Sequence, residues 1–153
     1  SNLIKNPTFN LYAGAYCKLN WCATSSLTGL NGQDPSIAIA PWRITSANKD
    51  FEVDGQYWPG YGGSTWSMDL SGSAPYTIGQ TVDTVPGTTY YVSYFVNENT
   101  YCGPAVKTGF IQASGASRST FTHSGRAWEE RSYQFVATSN LVTLEIGSTT
   151  NGG

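Results

Sequence analysis

Apolar residues recur at every second position in short runs along this chain, and that period admits few folds. Phe51 and Val53 alternate in "FEVDG", Trp66, Met68 and Leu70 in "TWSMDLSG", and Ile78 and Val82 in "YTIGQTV". The series continues in "TTYYVSYFV" from Thr88, "AVKTGFIQA" from Ala105, "RSYQFVAT" from Arg131 and "LVTLEI" from Leu141. Successive side chains of a strand point to opposite faces, so each run reads as a half-buried strand. Clusters of Gly, Pro, Ser and Asn, among them "YWPGYGGS", "SGSAP" and "VPGTT", separate the runs and supply turns. No long segment keeps a helical period. The pattern predicts an all-β chain folded as two packed antiparallel sheets.

At 153 residues the chain suits one domain, 1–153, with a hydrophobic core of its own. Charged residues are 12% and aromatics 14%, a low-charge, aromatic-rich profile that fits a rigid extracellular β protein. The net charge of -2 comes with no basic stripe, which argues against nucleic acid as a partner. No apolar stretch is long enough for a helix to cross a bilayer, so membrane insertion is not expected; secretion is the expectation that the low-charge, aromatic-rich composition carries.

The segment 11–41 breaks the alternation and reads as a long loop excursion, a length that goes with function or with a disulfide-closed insertion. Within it, Cys17 and Cys22 in "YCKLNWCAT" stand close enough to close a small loop. Three pairings of the three cysteines are open, and spacing favours this one, leaving Cys102 over. The last run is followed by a polar, glycine-rich stretch, "GSTTNGG", which reads as a turn with no strand after it.

Several motifs occur in a recognisable order: "NLIKNPTFN", "APWRIT", "FEVDGQYW", "WSMDLSG", then "YTIGQTVDTVPGTTYYVSYFV", "YCGPAVKT", "RAWEERSYQFVAT" and "LVTLEIGSTT". Together they resemble the DUF642 and choice-of-anchor-C-type domains, which are similar to galactose-binding-like jelly rolls and to carbohydrate-binding modules. The resemblance spans almost the whole chain, and the segment 11–41 is the part it explains least. It implies a closing strand resembling "CGPxxDxV" beyond Gly153, with a cysteine able to pair with Cys102. A vacant strand position would expose unpaired backbone groups at roughly 1–3 kcal/mol each. The expectation is that another polypeptide, a cleaved peptide or a neighbouring subunit, donates the strand; a trimmed chain is the equal alternative. The resemblance also implies a structural calcium near the first and last strands. Asn10 stands where many relatives carry an acidic residue, leaving Asp69 as the nearby carboxylate, so no calcium is predicted.

Catalytic chemistry finds little support. His123 is the only histidine and reads as a solvated residue of a polar turn. Glu129 and Glu130 are neighbours on a strand and face opposite ways, which rules against an acid and base pair. Sugar binding asks instead for flat aromatic faces and a few fixed polar groups. "GQYWPGYGGST" offers Tyr57, Trp58 and Tyr61 with Gln56 beside them. Trp58 has two readings, ligand platform and packing residue, whereas Tyr61 belongs to the loop. Trp21, inside the small cysteine loop, is a second contact candidate. Trp42, Trp66 and Trp128 read as core. Two functions follow: a secreted, non-catalytic module that binds glycan or cell-wall polysaccharide, or an adhesive extracellular subunit assembled by strand donation.

Overall fold

All seven alternating runs form strands. The computed structural model describes residues 2–11, 13, 21–23, 35–47, 52–55, 58–71, 74–101 and 103–150, and gives the backbone alone for 21–23, 35 and 36. In chain order the strands are β1 (Trp21–Ala23), β2 (Arg43–Ile44), β3 (Glu52–Asp54), β4 (Ser67–Asp69) and β5 (Thr77–Asp83). β6 (Thr89–Val96), β7 (Lys107–Ala113), β8 (Ser119–His123), β9 (Glu129–Val136) and β10 (Leu141–Ser148) follow, and 3-10 helices occupy Pro35–Ile39 and Tyr61–Gly63. A five-stranded sheet runs β2-β5-β10-β7-β8, a three-stranded one β1-β3-β4, and β6 pairs β9, all antiparallel.

The core lies between the large sheet and the smaller ones. Val142 and Leu144 of β10 with Ile111 and Ala113 of β7 pack on Tyr133 and Phe135 of β9, and Tyr90, Val92 and Tyr94 of β6 close that cluster. A second cluster joins Tyr76 and Ile78 to Val53, Trp66, Trp42, Ala38 and Ile39. Ile4 and Ile146 touch both clusters, so the two are continuous. Burying each large side chain contributes about 1.5–3 kcal/mol. Trp42 and Trp66 are buried as expected, whereas Trp128 is half-buried and belongs to neither cluster.

Three further features depart from the sequence reading. Within 11–41, Trp21–Ala23 is a strand that pairs with β3, and the 3-10 helix that follows places Ala38 and Ile39 in the core. Those parts of the excursion are scaffold. The stretch read as a turn after "LEI" continues the strand: Gly147 and Ser148 belong to β10, and Thr149 N–H then donates to Thr108 O at 2.9 Å. β10 is also an interior strand, bonded to β5 on one side and β7 on the other. Finally, "STFTH" forms β8, which the sequence reading passed over because Phe121 and His123 are separated by small polar residues that look like turn material.

One polar residue fastens the N-terminal segment. Asn6 adopts a left-handed φ of 50°, a conformation that Asn tolerates better than most residues. Its Nδ2 donates to Ala40 O at 3.0 Å and Ile39 O at 3.3 Å, while Oδ1 accepts from Leu11 N–H at 3.0 Å. Its carbonyl accepts the Trp42 indole N–H at 3.0 Å. Gln80, buried on the inner face of β5, similarly engages both backbone groups of Lys5, at 2.7 and 2.9 Å.

Candidate functional site

Three loops meet at one end of β6. The first is "YWPGYGGS", and its backbone is tied down on both sides of Trp58. Trp58 N–H donates to Gly55 O at 3.1 Å, and its carbonyl accepts from Ser67 Oγ at 2.6 Å. At Gly60 a Cβ would stand 2.4 Å from the Trp66 carbonyl, so only glycine permits this approach. Gly62 and Gly63 take φ of 66° and 84°, which glycine adopts without strain, and turn the chain just after Tyr61. Ser64 N–H closes the turn on Tyr61 O at 3.2 Å.

The result is a fixed aromatic surface. The Tyr61 ring stacks on Phe95 with centroids 3.6 Å apart and planes 9° from parallel, and Tyr61 keeps 52% of its surface exposed. Phe95 lies on the outward face of β6, because Tyr90, Val92 and Tyr94 point into the core. One face of Tyr61 is therefore braced by Phe95. Trp58 meets Tyr101 edge-on at 5.6 Å, and the Arg126 guanidinium sits 4.1 Å over its ring. Tyr101, 78% exposed, belongs to the loop that follows β6.

The third loop, between β8 and β9, is clamped from beneath. Glu98, buried, accepts the Gly125 N–H, and the His123 Nε2 lies 2.9 Å from Gly125 O. A carbonyl can only accept, so Nε2 carries the proton there and Nδ1 faces Glu129 Oε2 at 3.7 Å without a hydrogen bond. Both backbone polar groups of Gly125, on the two peptide units that flank its Cα, are thus held, directly before Arg126. His123 is buried at the end of β8, which corrects its reading as a solvated turn residue; β8 pairs with β7 and carries the imidazole inward opposite Lys107. Glu129 is exposed and bonds Arg131 Nη1 at 2.7 Å, which holds its carboxyl below the usual range. Glu130 lies on the opposite, outward face, paired with Phe95.

Of the candidates from the sequence, Trp58 and Tyr61 come together here. Gln56, Tyr57, Cys17 and Cys102 lie outside the described residues, and Trp21 and Cys22 are described in backbone only. Phe95, Tyr101 and Arg126 escaped the sequence reading. A signal for Phe95 is present all the same: "YYVSYFV" has aromatics on both faces, and a strand needs only one face for the core.

Among the described residues one acidic group has the spacing to hold a metal ion. Carboxylate oxygens of Glu52, Asp54 and Asp69 lie within 4.8 Å of one another across β3 and β4. Burial, followed by the charges of Asp69 and Glu52, pushes the Asp54 carboxyl up to about 7. Asp69 already accepts from Ser71 N–H at 2.9 Å and faces Asn99 Nδ2 at 3.5 Å. Three carboxylates alone fall short of the six to eight oxygens that calcium takes.

No family model and no curated protein matches the chain. Among solved structures it is similar to TmCBM61, a carbohydrate-binding module in complex with β-1,4-galactotriose, at 12% identity and a TM-score of 0.49, covering 74% of this chain and 79% of that one. It is similar to the enzymatically active domain of tailspike protein 4 of bacteriophage CBA120 at 13% identity and a TM-score of 0.49, where it spans 18% of that chain and 74% of its own length. A family 16 carbohydrate-binding module matches at 20% identity and a TM-score of 0.41, over 65% of this chain and 77% of that one.

Proposed function

We propose that this protein is a secreted, non-catalytic β-sandwich module that binds carbohydrate at the end of β6, and that it is a member of the DUF642-like group its motif order resembles. The observation that carries the reading is the Tyr61 ring, braced on Phe95 at 3.6 Å and half-exposed. A pyranose presents an apolar C–H face, and an aromatic ring held flat at the surface is its natural complement. Rigidity matters as much as area, because a ring that is already ordered loses little entropy on binding. The loop glycines and the Ser67 clamp provide that order. Hydroxyl recognition falls to polar groups around the rings, Arg126 and Glu130 among them.

The test is depletion and affinity electrophoresis against cellulose, xylan, galactan, mannan and chitin, with the wild type beside Tyr61→Ala and Trp58→Ala. The wild type should be retained by at least one glycan. Each variant should weaken that interaction by about five- to tenfold, the worth of one aromatic contact, while circular dichroism stays unchanged. Full binding by both variants would remove the site; no binding by the wild type would remove the function.

A further inference from the structure

The outward face of the β6 and β9 pair continues from the aromatic end site and has a composition of its own. Inward residues Tyr90, Val92 and Tyr94 leave Tyr91, Ser93 and Phe95 pointing out. The register sets Gln134 opposite Tyr91, Ser132 opposite Ser93 and Glu130 opposite Phe95, and these three are exposed. The face therefore carries two aromatic rings, Tyr91 and Phe95, with two serine hydroxyls and small volume between them. Tyr91 is 78% exposed, an unusual position for a large ring in the middle of an eight-residue strand. It makes no contribution to either core cluster.

We infer that this face is a track for the interior of a linear, uncharged polysaccharide, with Tyr61 and Tyr91 as stacking positions at its two ends. The inference rests on the glycan reading above and adds the shape and charge of the ligand. Four steps of strand separate Tyr91 from Phe95, a distance of about 13 Å, which spans roughly two to three pyranose rings. A single sugar at Tyr61 cannot reach Tyr91; an extended chain can. The serine pair in the middle leaves room for the intervening rings and offers hydroxyls to them. Charge fixes the class further. Of these six outward residues none is Lys or Arg and one is Glu130, so a polyanion such as a polyuronate finds repulsion along the face.

Isothermal titration with oligosaccharides of the best-binding backbone from the depletion assay, from disaccharide to hexasaccharide, tests the track. Affinity should climb to about the tetrasaccharide and then level. Tyr91→Ala should lower tetrasaccharide affinity by about five- to tenfold and leave the disaccharide unchanged. Ser93→Arg, which fills the middle of the face, should abolish the gain with length in the same way. Oligogalacturonides of equal length should not bind.

Binding that is independent of length, lost in Tyr61→Ala and unaffected by Tyr91→Ala, would overturn the track and leave the end site standing. Oligogalacturonide binding as tight as that of the neutral series would overturn the charge assignment. Failure of every oligosaccharide and polysaccharide to bind would overturn the glycan reading and the track together.

Discussion

Around Ile111 the core closes through alternating side chains, whereas around Asn6 it closes through hydrogen bonds. In the first region six of the seven buried residues come from strands, Ala137 just past β9 being the other, and Ile111, Ala113, Tyr133, Phe135, Val142 and Leu144 interlock across two sheets. In the second, the partners of Ile78 and Tyr76 come mainly from a 3-10 helix, three short strands with the residues beside them, and an N-terminal segment. Irregular segments must satisfy their backbone groups by other means. Asn6 and Gln80 do this by bonding carbonyls and amides that have no ladder partner. The difference teaches that one domain can hold its two halves with apolar area and with polar staples, and mutations should separate the two.

The largest effect is expected at Ile111→Ala. Ile111 is buried in the middle of the large sheet, and truncation leaves a cavity that paired strands relax into poorly, so the loss should be about 3–4 kcal/mol in urea unfolding. Asn6→Ala comes next, at about 2–3 kcal/mol, because it strands the Ile39 and Ala40 carbonyls and the Leu11 amide and places Ala at a left-handed φ. A loss below about 1 kcal/mol at Asn6 would break the comparison. It would mean that the second half, too, rests on apolar burial.

These two residues also mark how far the sequence could be read. Ile111 sits in a run whose period declares a strand and its inner face, and the same period located seven of the strands. Asn6 announces nothing, because an Asn before a Pro reads as any turn. Its value depends on where Ile39, Ala40 and Trp42 come to rest, and only the tertiary fold brings them together. β8 was hidden for a related reason: it lies at the edge of its sheet, and only His123 is buried on it while Phe121 is half-buried. At the candidate site the sequence named Trp58 and Tyr61 from loop composition, yet Phe95, Tyr101 and Arg126 arrive from distant segments. Tyr91 and Phe95 went unread too, although excess aromatics on a strand with a complete inner face are the signal that could have found them.

A smaller effect sharpens the comparison on its electrostatic side. Asp54 belongs to the staple-built half, and its carboxyl is pushed up to about 7 by burial and by Asp69 and Glu52. The unfolded chain gives the group up to solvent near its usual value of 3.8. Between about 4 and 7 the folded state holds a proton that the unfolded state has lost, so this group lowers stability as pH rises through that window. Above about 7 the penalty is complete. Asp54→Asn should therefore match the wild type near pH 4 and exceed it by about 1–2 kcal/mol at pH 8, after allowance for the water reaching this partly exposed group. Thermal melts of both proteins from pH 4 to 8 measure the gap; a gap that does not widen with pH would mean the three carboxylates are solvated independently.

The smallest effect on stability is expected where the effect on binding is expected to be large. Tyr61 leaves half its surface in water, so Tyr61→Ala forfeits its stack on Phe95 and little else, about 0.5–1 kcal/mol. The loop around it should survive, because its anchors are the Gly60 approach to the Trp66 carbonyl and the Ser67 bond to Trp58 O, neither of which involves the ring. Urea unfolding of Tyr61→Ala beside Ile111→Ala provides the measurement. A loss at Tyr61 equal to that at Ile111 would make the ring a core element that happens to show one face, and its exposure would then say nothing about ligands. A small loss places Tyr61 outside both halves of the core, a ring held rigid by a scaffold that does not depend on it.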